Sequence, residues 1–271
     1  MILNRFKNFF QNLNISEIKK IIDEITLYSA ALSFYTIFSL VPIILIILTI
    51  FSSSPFFSEF YIKLEHFIAS NILPSNQEII KTYLQNFLSN SSKMGVIGGF
   101  YILITSILFF DNYETIIAKI FNKEKRNLWE KIKLYWTMIT LFPILFAGVI
   151  YLSIKVKLLL NVPIILKLLP FFLLWLIFFL SYKLTLSNEN SKNTLLSSFI
   201  VTIVFYISKN LFIYYVLINK TYKTIYGSIS VLMFLLLWIY ISWMIYIAGI
   251  YLIKYLDIIS QKRRNNGYNK N

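Results

Sequence analysis

Three ionisable residues lie inside otherwise apolar stretches of this sequence, and they are its strongest candidates for chemistry. Asp111 and Glu114 stand three residues apart, which places both on one face of a helix, and Lys209 lies in a later apolar stretch. If such a stretch crosses a bilayer, a charge at its centre costs roughly 2.5–3.5 kcal/mol on insertion scales. We therefore predict that Asp111, Glu114 and Lys209 line a polar cavity that handles an ion, a proton or a lipid headgroup.

A structural interpretation of the same residues stays open. In that interpretation the two acids lie at the membrane interface beside Lys119, and Lys209 binds a backbone carbonyl or reaches toward the surface. A direct Asp111–Lys209 ion pair is disfavoured, because the two helices run in opposite directions and place the residues on the order of 10 Å apart in depth.

Small residues and prolines form a second group of candidate sites, with a role in packing or bending helices. Small side chains let helices approach closely within a membrane, and an internal proline removes a backbone hydrogen bond. The residues of this group are Ser29, Ser33, Pro42, Gly95, Gly98, Gly99, Pro143, Gly227 and Gly249.

Composition excludes several kinds of site. The chain has no cysteine, so disulfides and thiolate ligands are ruled out, and its one histidine, His66, is too little for a zinc or iron site. We expect no metal and no cofactor. Since no set of residues indicates a reaction, we also expect the protein not to be an enzyme.

The elements that must position these residues are membrane-spanning helices. The chain has 58% hydrophobic residues and a mean hydropathy of +0.68, well outside the range of soluble domains. A bilayer core requires roughly 20 helical residues. Six stretches are of about this length, and they predict an all-α, polytopic membrane protein with one domain over residues 1–271. The spans are 28–51, 95–117, 134–154, 168–186, 195–218 and 226–253.

The net charge of +14 could indicate nucleic-acid binding, but the placement of the cations argues against it. Lys and Arg concentrate at the ends of the apolar stretches, for example at Lys123, Lys125 and Arg126 and again at 262–264. By the positive-inside rule, both termini face the cytoplasm. Membrane lipids are the expected partners, and the sequence leaves open whether the chain forms a homo-oligomer.

The first outer connection, residues 52–93, carries two amphipathic patterns. Apolar residues recur at helical spacing over 56–68 and over 79–88, with Pro74 between them. Ser75 and Glu78 form a capping box at the start of the second pattern. We predict two short amphipathic helices here, which either cover a cavity or rest on lipid headgroups.

Two stretches resemble a known family. The first runs from Ala30 to Pro42 (AALSFYTIFSLVP), and the second includes Tyr226-Gly227-Ser228, the segment 237–243 (LWIYISW) and Gly249. They are similar to the YihY/BrkB family of bacterial inner-membrane proteins. The similarity extends over nearly the whole chain, and the resemblance implies six helices in the inner membrane.

The resemblance leaves three functional hypotheses. The first is transport or organisation of a lipid or other amphiphile in envelope maintenance. The second is a scaffold that transports nothing and binds partner proteins. The third is a membrane-associated ribonuclease, since members of the family were once labelled ribonuclease BN and others carry a virulence label. The chain lacks the His and carboxylate cluster that a metal-dependent nuclease needs, which disfavours the third hypothesis.

Overall fold

A computed structural model of the chain describes residues 15–53, 91–127, 129–137, 140, 163–186, 189–219, 227 and 229–268. Within these ranges all regular structure is helical, which confirms the all-α part of the predicted fold. The helices are α1 (Ile15–Ser53), α2 (Ser91–Phe121), α3 (129–137), α4 (Pro163–Thr185), α5 (Ser191–Ile218) and α6 (Ile229–Tyr268).

Three of these helices contain segments long and apolar enough to cross a membrane, namely Ile15–Ser39, Ser191–Ile218 and Ser230–Gln261. The segment Pro170–Thr185 of α4 is apolar but shorter. The count of six spans stays a prediction, because most of the third span, 134–154, lies outside the described residues. The two amphipathic helices predicted for residues 56–88 also lie outside them.

Asparagines mark three helix ends. Asn122 follows α2 in the left-handed conformation (φ 50°), and the amide of Lys123 donates to Ala118 O at 2.9 Å. This is a Schellman motif, which satisfies carbonyls at a helix C-terminus. At the start of α3, Asn127 Oδ1 accepts the amide of Trp129 at 2.9 Å, and at the start of α5, Asn190 Oδ1 accepts the amide of Lys192 at 3.0 Å.

The chain divides into two compact units, and the long helices α1, α2, α5 and α6 each contribute to both. The first unit consists of Met1–Ala30, Glu114–Tyr214 and Ile241–Asn271. The second consists of Ala31–Tyr113 and Tyr215–Tyr240.

Aromatic side chains contact one another within and between helices in the described part of the second unit. Phe38 of α1 stacks on Phe34 (ring centroids 5.8 Å apart) and contacts Tyr101 of α2 (6.4 Å). Gly227 precedes α6 with φ 53°, a backbone conformation that glycine adopts at little cost, and its carbonyl accepts the Ser230 hydroxyl at 2.7 Å.

In the first unit, α4, α5 and α6 pack through buried polar groups. The Tyr182 hydroxyl donates to Tyr246 O (2.9 Å), and the Ser197 hydroxyl donates to Gly249 O (2.8 Å). The buried face of α5 consists mostly of small polar residues: Asn193, Thr194, Ser197, Ser198, Val201 and Thr202. Small side chains let neighbouring helices approach closely, and their hydroxyls can bond to the backbone they meet.

Candidate functional site

The candidate site lies in the first unit, where α2 and α4 end and α5 begins. The Schellman turn at Asn122 ends α2 and leads the chain into the connecting segment 123–127. Arg126 in this segment contacts Glu114, which lies about two turns before the end of α2. The turn at Asn122 thus places Lys123 and Arg126 next to the site.

Glu114 is the most buried acid of the site, at 2% exposure, and it makes three hydrogen-bonding or ionic contacts with two residues. Its Oε1 accepts the amide of Arg126 at 3.0 Å and lies 3.4 Å from Arg126 Nε. Its Oε2 accepts the hydroxyl of Tyr135 on α3 at 3.0 Å. These partners replace the water that a buried carboxylate loses, so the charge of Glu114 is compensated in place.

Two helix C-termini at this site each receive a cation. Arg126 Nη2 donates to the carbonyl of Thr185 in the last turn of α4. Lys254 Nζ of α6 donates to the carbonyl of Ile120 in the last turn of α2, at 2.6 Å. Both contacts satisfy carbonyls left free at a helix end and place positive charge against the negative end of the helix dipole.

The segment before α5 takes part in a second charged pair. Lys123 Nζ donates to Glu189 Oε1 at 2.7 Å. Burial raises the pKa of the Glu189 carboxyl, but the hydrogen bond from Lys123, the neighbouring Asp257 carboxyl and the charge of Lys123 together lower it by more, so the net pKa lies below the ordinary glutamate value. The contact with Lys123 therefore favours the ionised form of Glu189.

Together these residues surround a cavity of about 160 Å³. A water molecule needs at least about 10–15 Å³ of such space, so the cavity has room for several waters or a small polar ligand. The lining contains both charged and apolar residues, namely Glu114, Ile117, Ala118, Phe121, Lys123, Glu124, Arg126, Thr185, Leu186 and Glu189. No cluster of three or more metal-ligating side chains occurs in the described part of the chain.

A second concave feature of the first unit is an apolar groove of about 360 Å³ between α1, α5 and α6. Every residue along it is aliphatic, methionine or glycine, and the lining consists of Ile22, Ile25, Ile200, Val201, Val204, Met244, Ile245, Ala248, Gly249 and Leu252. The eight-residue separation of Met244 and Leu252 on α6 makes the groove on the order of 12 Å long.

Of the three residues predicted to line a polar cavity, only Glu114 lines the one described here. Asp111 is exposed on α2. Lys209 is half-buried on α5 with its ammonium 4.6 Å from the centre of the Tyr206 ring, a cation–π distance. Whether Asp111 and Lys209 have a functional role stays a prediction.

The residues predicted to pack helices occupy different environments. Ser29 and Ser33 are buried, and Gly249 packs against Tyr182 and Val201. The helix α1 continues through position 42, and Gly95, Gly98 and Gly99 lie within α2. Pro143 lies outside the described residues.

The sequence did not predict four polar residues that make contacts in this unit, because they lie beyond the ends of the apolar stretches. They are Arg126, Glu189, Asn193 and Asp257. One local signal was available. Asn127 and Asn190 are good N-cap residues next to charged segments, and they mark where α3 and α5 begin.

Comparison with known proteins gives a consistent result. The model of the family described as "Virulence factor BrkB" matches residues 21–270. A UPF0761 membrane protein of Haemophilus influenzae is 30% identical over 86% of this chain and 90% of its own length. A UPF0761 membrane protein of Pseudoalteromonas atlantica is 26% identical over 96% of this chain and 90% of its own. No solved structure matches the chain significantly.

Proposed function

Since this chain belongs to the virulence factor BrkB family, we propose that it binds a lipid or other amphiphile and moves or organises it in the bacterial inner membrane. The relatives described above are named membrane proteins. The observation that carries the proposal is the apolar groove between α1, α5 and α6. The proposal assigns no chemical reaction to the protein.

The occupant we propose for the groove is one acyl chain of a membrane lipid. The groove lies on the three helices whose described segments are long and apolar enough to span a membrane, so lipid tails surround it there. An acyl chain is apolar and elongated, as the groove is. It needs no hydrogen-bond partner, and the groove lining has no side chain that could offer one.

Polar residues next to the groove could contact a headgroup. Glu24 lies between Ile22 and Ile25, and its carboxylate accepts the hydroxyl of Tyr251, the neighbour of Leu252. Lys20 lies one turn earlier on α1 with its ammonium 4.0 Å from Glu24 and its side chain 76% exposed. An exposed lysine beside an apolar groove favours an amphiphile that carries an anionic group, such as a phosphate.

Native mass spectrometry of the full-length protein, released from its own membrane, tests this proposal. We expect the wild type to retain a lipid and the Val204→Phe variant to lose most of it, because the larger side chain fills the groove. The matched control is Ile203→Phe, which makes a similar change at the adjacent position of α5 outside the groove lining.

Three outcomes are informative. Loss of lipid in Val204→Phe with retention in Ile203→Phe supports the acyl-chain site and identifies the substrate class by mass. Equal retention in both variants contradicts it. A partner protein that remains bound in place of lipid, and is lost only in Val204→Phe, favours the scaffold hypothesis.

A further inference from the structure

Asp257 of α6 is a second buried acid, and the cavity described above does not include it. It is 5% exposed, although it follows the last apolar stretch of the sequence. Its Oδ1 accepts the amide nitrogen of Asn193 on α5 at 2.5 Å. The same Asn193 nitrogen donates to Ser260 Oγ at 3.0 Å, and the Ser260 hydroxyl donates to Leu256 O at 2.7 Å. This network fixes Oδ1 as an acceptor.

The other oxygen of Asp257 lacks a donor. Oδ2 is buried, and no described residue donates a hydrogen bond to it. The carboxyl of Glu189 and the backbone amide of Asn190 both lie beside the Asp257 carboxyl. Two carboxyl groups can hydrogen-bond to each other only if one of them is protonated, since both are pure acceptors when ionised. A proton on one of the two carboxyl groups would supply the donor that Oδ2 lacks.

The surrounding charges decide which carboxyl carries that proton. Glu189 Oε1 already accepts the ammonium of Lys123, and its side chain is 13% exposed. This contact favours the ionised form of Glu189. No described cation contacts Asp257 directly: Lys254, on the same helix, donates to Ile120 O. Protonated on Oδ2, Asp257 would donate to Glu189 and leave no buried oxygen unpaired.

We propose that Asp257 and Glu189 form a proton-binding site, in which one proton on Asp257 Oδ2 bridges the two carboxyl groups and holds the start of α5 against α6. Loss of the proton leaves two carboxylates in contact, with Lys123 beside only one of them. The other charged groups near Glu189, which line the cavity with it, are Glu114, Glu124 and Arg126. The proton site does not depend on lipid binding in the groove.

Infrared difference spectroscopy of the full-length protein in lipid nanodiscs, titrated with pH, tests the site. A protonated carboxyl has a carbonyl stretching band that a carboxylate lacks. We expect the wild type to show such a band and to lose it as the pH rises and the carboxyl ionises. The band should be absent in Asp257→Asn and unchanged in Asp23→Asn, which alters an exposed aspartate of α1.

Two further variants separate a proton site from a structural contact, and they remain decisive if Asp257→Asn fails to fold. Glu189→Gln removes a neighbouring negative charge, so the band should disappear at a pH lower by about one unit or more. Lys123→Met removes the cation that stabilises ionised Glu189, so the midpoint should rise. Midpoints that do not move in opposite directions overturn the proposal, as does a band that persists in Asp257→Asn.

Discussion

At the scale of single residues, Glu114 shows why a buried acid in this chain can be stable. All of its described partners come from residues 126 and 135, so a segment that follows α2 closes over the carboxylate that α2 supplies. Removal of one member of a buried ion pair usually costs more than the pair contributes, because the remaining charge loses its partner while it stays away from water.

Glu114→Gln should therefore destabilise the protein. The glutamine keeps the shape of the side chain but leaves the partly buried guanidinium of Arg126 without a counter-charge, and we expect a loss of about 1–3 kcal/mol in unfolding free energy. Thermal unfolding in detergent measures this loss as a lower midpoint. The control is Glu130→Gln, which removes an exposed carboxylate from α3 and should change stability by less than about 0.5 kcal/mol.

Arg126→Lys provides a second check of the same contact. Arg126 reaches Glu114 through Nε and Thr185 O through Nη2, and a single ammonium cannot occupy both positions. Lysine should thus recover only part of the stability that Arg126→Met loses. Full recovery by lysine would show that charge alone matters and that the link to the end of α4 does not.

At the scale of elements, Gly249 sets the distance between α6 and its neighbours. A Cβ at this position would overlap Tyr182 Oη and lie 2.5 Å from Val201 Cγ2. Tyr182 cannot simply move away, because it is fully buried and its hydroxyl is hydrogen-bonded to Tyr246 O. The sequence predicted a packing role for Gly249, and the structure identifies the two helices, α4 and α5, that require it.

Gly249→Ala should accordingly lower the unfolding free energy by about 1–3 kcal/mol, the usual cost of overpacking a well-packed interior. Because the closest overlap is with the Tyr182 hydroxyl, Tyr182→Phe in the same chain should recover part of the loss. A double-mutant cycle from thermal unfolding measures this coupling. Additive effects of the two substitutions would mean that the Tyr182 hydroxyl is not what resists a side chain at position 249.

The sequence predicted the apolar parts of the helices well and their polar ends poorly. The stretch 195–218 lies within α5, which begins at Ser191, and the stretch 226–253 corresponds to α6, which continues to Tyr268. Hydropathy detects only the part of a helix that is apolar, whereas the helix itself ends where its caps lie. Asn193 meets Asp257 across 64 residues of chain, and no periodicity within either helix reveals such a contact.

At the scale of the whole molecule, the distribution of charge predicts how the chain is oriented across the membrane. Both termini and the basic connection at 119–133 should face the cytoplasm, and the connection after α5 should face outward. The absence of cysteine in the natural sequence makes the test direct, because a single introduced thiol is then the only target for a membrane-impermeant maleimide.

We expect Asn219→Cys, in the connection after α5, to be labelled in intact cells, and Ser16→Cys and Lys125→Cys to be labelled only after the inner membrane is permeabilised. All three positions are described in the structure, and Ser16 and Lys125 are exposed, so failure of labelling in intact cells cannot be attributed to burial of those thiols. Labelling of Lys125→Cys in intact cells would reverse the orientation. The Lys123–Glu189 pair and the proton site would then respond to the pH outside the inner membrane rather than to that of the cytoplasm, since Lys125 and Lys123 belong to the same connecting segment.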